Sequence, residues 1–378
     1  MFRTAIKFMC FEKTKSLGIL IGIFIAVFLI GQQLSTLGYL ESLMAALVRN
    51  SDPENADIWV VTDQTSNANS LDPINASLVM TLRSIEGVED TYPAVVCPAM
   101  MKFSNGQFAN VQLVGSEAPS MIMGPAPSMV VEGNRESIIN PLSFTCELKD
   151  EKNFHHPVNR NMDIELNGKK ARITSLTRNL KGYSSSLLYS TIDNVREISG
   201  KSIDEVNAIL VKAADDMVPA VLCRSINDAF PGIHAWTRTE LADSTVDELL
   251  KKTSMGISFF SLVIFAVISG FFIIGLTLYT STFDRVRDYG TLKAIGADNN
   301  YISRLVLTQA GFYGLAGYVL AVIMLFAMKF AVAGSGMVMV ITPGLLLFLL
   351  GITMIISLGS SMFAVKKLSR LEPASVFK

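Results

Sequence analysis

Asp284–Ala297, DRVRDYGTLKAIGA, mixes acids, bases and short apolar side chains in one charged, helix-compatible stretch. The chemistry open to such a mix is recognition of another protein. Residues that could make or break covalent bonds are scattered and poorly spaced. His155-His156 is an adjacent pair, and neighbours in sequence do not share one face of a helix or strand. Cys97, Cys146 and Cys223 match no disulfide framework, and closing one bridge among three leaves a thiol over. Gly200-Lys201-Ser202 carries the Lys-Ser pair of a phosphate loop but lacks the glycine four residues earlier. Gly-x-Ser-x-Gly, His-Glu-x-x-His and telling carboxylate pairs are missing. The chain therefore reads as a non-enzyme with neither a metal site nor a nucleotide-binding engine of its own.

The surroundings of Asp284–Ala297 give it meaning. Thr253–Phe283 before it and Leu305–Met328 after it contain no charged residue. Two further charge-free runs are Ser16–Leu40 and Phe330–Val365, the latter broken near Gly334-Ser335-Gly336 and Thr342-Pro343-Gly344. About 20 apolar residues cross a bilayer's hydrocarbon core, so each run predicts a membrane span. Hydrophobic residues make up 50% of the chain, charged ones 17%, and the mean hydropathy is +0.41. The apolar residues are clustered, and the stretch between the first and second runs is of ordinary soluble composition. The predicted fold class is a membrane α-helical protein, one span plus three, with a large α+β extracytoplasmic domain between the first and second spans.

Orientation follows from the basic residues. Arg3, Lys7, Lys13 and Lys15 precede the first run against a single Glu12, and the tail holds Lys366, Lys367, Arg370 and Lys378. Arg285, Arg287, Lys293 and Arg304 lie between the second and third spans, whereas 331–341 has no Lys or Arg. The positive-inside rule puts both termini and Asp284–Ala297 in the cytoplasm. The first run is too long for a signal-peptide core, and bulky Tyr39-Leu40-Glu41 follows it, so it reads as a retained span.

The expected order is a cytoplasmic amphipathic segment 1–16, a span 17–40, a periplasmic domain 41–252 and a span 253–283. A cytoplasmic loop 284–304, a span 305–330, a short periplasmic loop 331–341, a span 342–365 and a cytoplasmic tail 366–378 complete it. Gln32 and Gln33 near the outer end of the first span read as headgroup-level or interhelical hydrogen-bonding residues. Gly311, Gly314 and Gly317 read as close-packing positions. No ionisable residue lies deep in any run, which argues against an ion-coupled carrier.

Within 41–252, Ala56–Thr62, Ala94–Lys102 and Val111–Gly115 predict strands, with helical spacing over Asn75–Ile85. Val206–Lys212 and Ile233–Arg238 predict strands around a helix at Met217–Phe230, and Met162–Ile173 predicts a hairpin turned at Asn167-Gly168. Strand–helix–strand halves at about 50–115 and 203–250 would thus flank an inserted subdomain at about 116–200.

Asp288–Ala297, DYGTLKAIGA, resembles the cytoplasmic signature of ABC permeases of the MacB/FtsX/LolE type (type VII), in which an acidic residue precedes an aliphatic-Lys/Arg-Ala-Ile/Met-Gly stretch. Glu12-Lys13-Thr14-Lys15, Ala56-Asp57 and Tyr289 within Tyr-Gly-Thr-Leu-Lys-Ala resemble the DevC-type branch most, and the tail Leu371-Glu372-Pro373-Ala374 resembles the general pattern. Asp288 stands where Glu is commoner, and the middle of the extramembrane domain matches no member.

The resemblance implies that Arg285, Arg287, Asp288, Tyr289, Gly290, Thr291, Leu292, Lys293, Ala294, Ile295 and Gly296 form a coupling helix docking on a separate ABC ATPase. Thr291, Leu292 and Ile295 would supply an apolar edge, and Arg285, Arg287 and Lys293 would meet carboxylates. Gly290 and Gly296 would allow close approach and a helix end.

ATP and magnesium would then sit on the ATPase partner, and this chain would hold no cofactor. Two copies of this chain would work with two ATPase subunits in a bacterial inner membrane, by mechanotransmission. A DevC-like member would add a periplasmic adaptor protein and an outer-membrane channel and act in tripartite efflux. Two other members of the resemblance imply an FtsX-like regulator of a periplasmic cell-wall hydrolase or a LolE-like lipoprotein-release permease. No nucleic-acid partner is expected, and the lipid bilayer is.

Overall fold

The structure, a computed structural model, describes residues 13–52, 54–284, 286–333 and 338–369. Arg3, Lys7, Glu12, Arg285, Gly334–Gly336, Arg370, Leu371–Ala374 and Lys378 lie outside them. The chain forms two compact units, one built from its two ends and one from Leu40–Thr253.

The Leu40–Thr253 unit is an α+β domain. Its strands are β1 (Ile58–Thr62), β2 (Ile74–Asn75), β3 (Val88–Lys102), β4 (Phe108–Ser116), β5 (Val130–Glu132) and β6 (Ser143–Glu147). They continue as β7 (Met162–Leu166), β8 (Lys169–Thr177), β9 (Ser186–Thr191), β10 (Glu205–Val206), β11 (Ala208–Ala213) and β12 (Ile233–Thr237). Among the described residues β2 and β10 pair with each other, and the rest join one ten-stranded sheet. From β12 the order runs β1, β11, β3, β7, β8, β5, with β4 and β9 branching from β3 and β6 from β8.

β1 reads IWVVT without a polar interruption because it is covered on both faces. Side chains alternate across a strand, so Ile58 and Val60 enter one core while Trp59 and Val61 enter the other. β11 divides likewise, Ile209 and Val211 against Ala208 and Leu210. Helices Leu78–Arg83, Ile192–Ser199 and Pro219–Ala229 supply Leu82, Val195 and Ile226 to the first core. Helices Ala46–Arg49 and Arg238–Lys252 supply Leu47 and Leu241 to the second.

Local sequence sets most of these boundaries. Pro219 occupies the first turn of its helix, where a missing N–H leaves no bond unmade. Thr237 and Glu240 close a capping box at the start of Arg238–Lys252, each side chain bonding the other's backbone N–H. Asn167 and Gly168, both at positive φ, turn the β7–β8 hairpin. The middle stretch 116–200, expected as an inserted subdomain, contributes five strands to the same sheet. β9 lies parallel to β4, Val111 opposite Ser186 through Ser116 opposite Thr191, an alignment set by tertiary packing.

The second unit holds four helices long and apolar enough to cross a membrane, over Ser16–Met44, Met255–Thr277, Asn299–Val332 and Pro343–Met362. Their contacts rest on small residues and hydroxyls, as expected where the solvent is as apolar as the side chains. A Cβ on Gly317 would collide with Ile23, and one on Gly270 would sit 2.7 Å from the Ala26 methyl. Gly314 faces Ser357, whereas Gly311 has open space around it. Ser357 donates to Ala310 O at 2.6 Å, Tyr318 to Leu346 O at 3.1 Å, and Ser35 to Val340 O at 2.9 Å. The Ser16 and Tyr313 hydroxyls lie 2.6 Å apart.

Candidate functional site

Between the second and third spans lies a short helix, Val286–Ala294. It ends because Gly296 adopts φ +104, where any side chain would be strained. Ala297 N–H then reaches back to Leu292 O at 2.9 Å, the six-to-one bond of a Schellman turn. Asp298 starts the next helix directly, its carbonyl accepting from Tyr301 and Ile302 N–H at 3.0 and 3.2 Å. Only a few residues therefore separate the short helix from the third span's helix, which begins at Asn299 rather than near 305.

Its two faces differ. Tyr289 is only 2% exposed and packs with Ile302, Leu305 and Val306 at the start of the Asn299–Ala333 helix. Leu292, one turn on, is half-buried against the same cluster, as is Val365 from the fourth span. Residues three or four apart share a helix face, and Arg287, Thr291 and Ile295 make up the opposite one. All three are exposed, Ile295 at 80%. The Thr291 hydroxyl donates to Arg287 O at 2.9 Å within the helix.

The residues singled out by sequence thus divide. Arg287, Thr291, Ile295 and Gly296 face outward, and Tyr289, Gly290 and Leu292 face inward. Arg285 and the side chains of Asp288, Lys293 and Ala294 lie outside the described residues. Leu292, grouped with Thr291 and Ile295 as one apolar edge, turns instead into the cluster: it stands one turn from Tyr289 on the same side of the helix and a 100° step from Thr291, while Ile295 lies past the last helical residue. Sequence reasoning missed Ile302, Leu305 and Val306 as the seat of this helix. Their signal was an apolar i, i+3, i+4 pattern hidden at the edge of a span.

The remaining chemistry-bearing residues have structural partners. Lys201 Nζ donates to Asn207 Oδ1 at 2.9 Å, and Gly200 ends its helix at φ +71. The His156 ring stacks on Phe103 with centroids 4.6 Å apart. Cys97, Cys146 and Cys223 are free and buried, and burial pushes each thiol up, Cys223 to about 12. Thiols held protonated in this way are poor nucleophiles. Among the described residues no group of three or more His, Cys, Asp and Glu could hold a metal ion.

Residues 260–373 match the family described as FtsX-like permease C-terminal. That match bears out the resemblance to ABC permeases of the MacB/FtsX type. It spans three apolar helices and the helix just described. Curated protein sequences give no significant match. Two solved structures are similar to the α+β part of the chain. The periplasmic region of MacB from Actinobacillus actinomycetemcomitans aligns at 12% identity and TM-score 0.39, covering 52% of this chain and 94% of that one. The extracellular domain of the noncanonic ABC-type transporter YknZ from Gram-positive bacteria aligns at 12% identity and TM-score 0.35, covering 48% and 100%.

Proposed function

Since residues 260–373 form an FtsX-like permease C-terminal region, we propose that this chain is the membrane subunit of an ABC transporter whose ATPase engine sits on a separate polypeptide. The supporting observation is the two-faced helix Val286–Ala294. Its exposed face carries a cation and a hydroxyl, the 80% exposed Ile295 follows its last residue, and Tyr289 fastens its other face to the third span. A lone Ile so exposed beside Arg287 suits a partner groove that is apolar within and acidic at its rim.

On this reading the helix is cytoplasmic and docks on the ATPase. ATP and magnesium on that partner close a dimer of ATPase subunits, and two copies of this chain move with them. Tyr289 carries the displacement to Leu305 and Val306. The third span passes it to the first through the contact of Gly317 with Ile23, and to the fourth through Ser357 and Ala310. The chain enters the α+β domain from the first span and leaves it into the second, so motion of the spans is imposed on both ends of that domain. The described parts of the spans contain no buried Asp, Glu, Lys, Arg or His, which supports transmission of force over passage of an ion.

Export with a periplasmic adaptor and an outer-membrane channel is the finer reading we favour, in a bacterial inner membrane with both termini cytoplasmic. The identity of the genes beside this one separates it from hydrolase regulation and lipoprotein release. The docking step is tested by co-purifying the tagged full chain with the ABC ATPase encoded beside it. Ile295→Asp is expected to lose the ATPase while keeping the wild-type melting temperature. Retention of the ATPase by that variant contradicts the proposal.

A further inference from the structure

The α+β domain holds a groove of about 660 Å³ that the permease reading leaves without a role. Its size falls within the roughly 300–1,000 Å³ usual for binding pockets. Val96, Pro98 and Met100 of β3 form its floor, and Asn110 and Gln112 of β4 stand beside them. Register puts these side chains on one face, because Pro98 lies opposite Gln112 and Met100 opposite Asn110. Loops far apart in sequence add Ser70 and Ser184 with Ser185 to the lining.

The wall is built firmly. Met100 N–H donates to Asn167 Oδ1 at 2.9 Å and Met100 O accepts from Asn167 N–H at 3.0 Å, so the β7–β8 turn closes one end. Asn69 Nδ2 donates to Met44 O at 2.7 Å and fixes the loop at the other. In contrast, the side chains of Ser70, Asn110, Gln112, Ser184 and Ser185 hydrogen-bond no described protein group. Among the described residues lining the groove, none is charged and none is aromatic.

That composition selects a ligand. A phosphate or carboxylate would find no cation among the described lining residues. A sugar would find no ring to lie against. The free amides of Asn110 and Gln112 each offer a donor and an acceptor, the same pair that a peptide unit presents. Met100 is unbranched and adaptable, and with Pro98 and Val96 it forms an apolar strip for alternate side chains of an extended strand. We propose that this groove binds an extended, uncharged polypeptide segment of a partner protein. The proposal does not rest on ATPase docking.

The test uses the full chain in detergent, a displayed library of random decapeptides and [13C]methyl-methionine labelling. The Met100 methyl resonance is assigned by its loss in Met100→Leu. Selected peptides are expected to be poor in charged residues, to shift that resonance saturably, and to bind Gln112→Arg roughly tenfold or more weakly, since the longer arginine removes the amide and occupies the space beside Pro98. Ser184→Arg, on a loop outside the sheet, is the second variant in case Gln112→Arg does not fold, and the same loss is expected. The proposal is overturned if no peptide separates wild type from the variants. It is equally overturned if maltohexaose, and no peptide, moves the Met100 methyl.

Discussion

Tyr289 lies within the short helix Val286–Ala294 and Ile295 directly follows its last residue, the first 2% exposed and the second 80%. One anchors the helix to its own chain, and the other is left for a different one. Their substitutions should therefore separate. Tyr289→Ala empties a packed site against Leu305 and Val306 and is expected to destabilise the membrane unit by about 3 kcal/mol. Ile295→Ala should leave the melting temperature within error. Thermal unfolding of both variants in the same detergent checks this, and equal effects would count against the two-faced helix.

Gly317 is a close contact of the first and third spans, and any Cβ there runs into Ile23. Gly317→Val is expected to cost roughly 1–3 kcal/mol by overpacking. Gly311→Val, at a position with open space, should cost far less. SDS titration of the purified variants ranks them, and a Gly311 effect as large as that of Gly317 contradicts the packing described.

Asn227 guards the edge of the sheet. Ala235 N–H donates to its Oδ1 at 2.6 Å, and its Nδ2 donates to Ala235 O at 3.1 Å, so one side-chain amide stands in for a neighbouring strand beside β12. Asn227→Leu leaves both backbone groups bare, with an expected loss of about 1–3 kcal/mol. It also opens an edge to pairing between molecules. Light scattering during a thermal ramp should show earlier aggregation than wild type, and an unchanged onset would refute the edge role.

The buried carboxylates Glu147 and Asp150 give the domain an unusual pH response. Burial pushes both carboxyls up, against the Asn179 and Leu180 N–H groups at Glu147 and against Lys181 beside Asp150. A carboxyl raised in the folded state contributes stability that is complete below its ordinary unfolded pKa near 4 and is lost as pH rises through the folded value. Asp150→Asn, neutral at every pH, is expected to melt higher than wild type at pH 7, with the gap closing toward pH 4. A gap that widens as the pH falls reverses the sign and rejects the argument.

Most of the fold was legible where the signal is local. The unbroken IWVVT of β1 and the Asn167-Gly168 turn were read through backbone chemistry within a few residues, whereas the Thr237–Glu240 box, an equally local signal, went unread together with the helix Arg238–Lys252 that it starts. The parallel pairing of β4 with β9 left no such mark, because Val111 and Ser186 meet through tertiary packing alone. That is why 116–200 looked like a separate insert. At the candidate site, charge and position marked the helix but not its faces. Leu292 in the helix and Ile295 just past its end are equally apolar, and only the seat formed by Ile302, Leu305 and Val306 decides which one turns inward.

The central claim is that the face carrying Ile295 meets an ATPase while the face carrying Tyr289 and Leu292 does not. A photo-crosslinking amino acid placed singly at 292 and at 295, in the full chain co-expressed with the ABC ATPase encoded beside it, reads this directly. The account predicts a crosslink to the ATPase from position 295 and at most a trace from 292. An ATPase crosslink as strong from 292 as from 295, or none from 295, contradicts it.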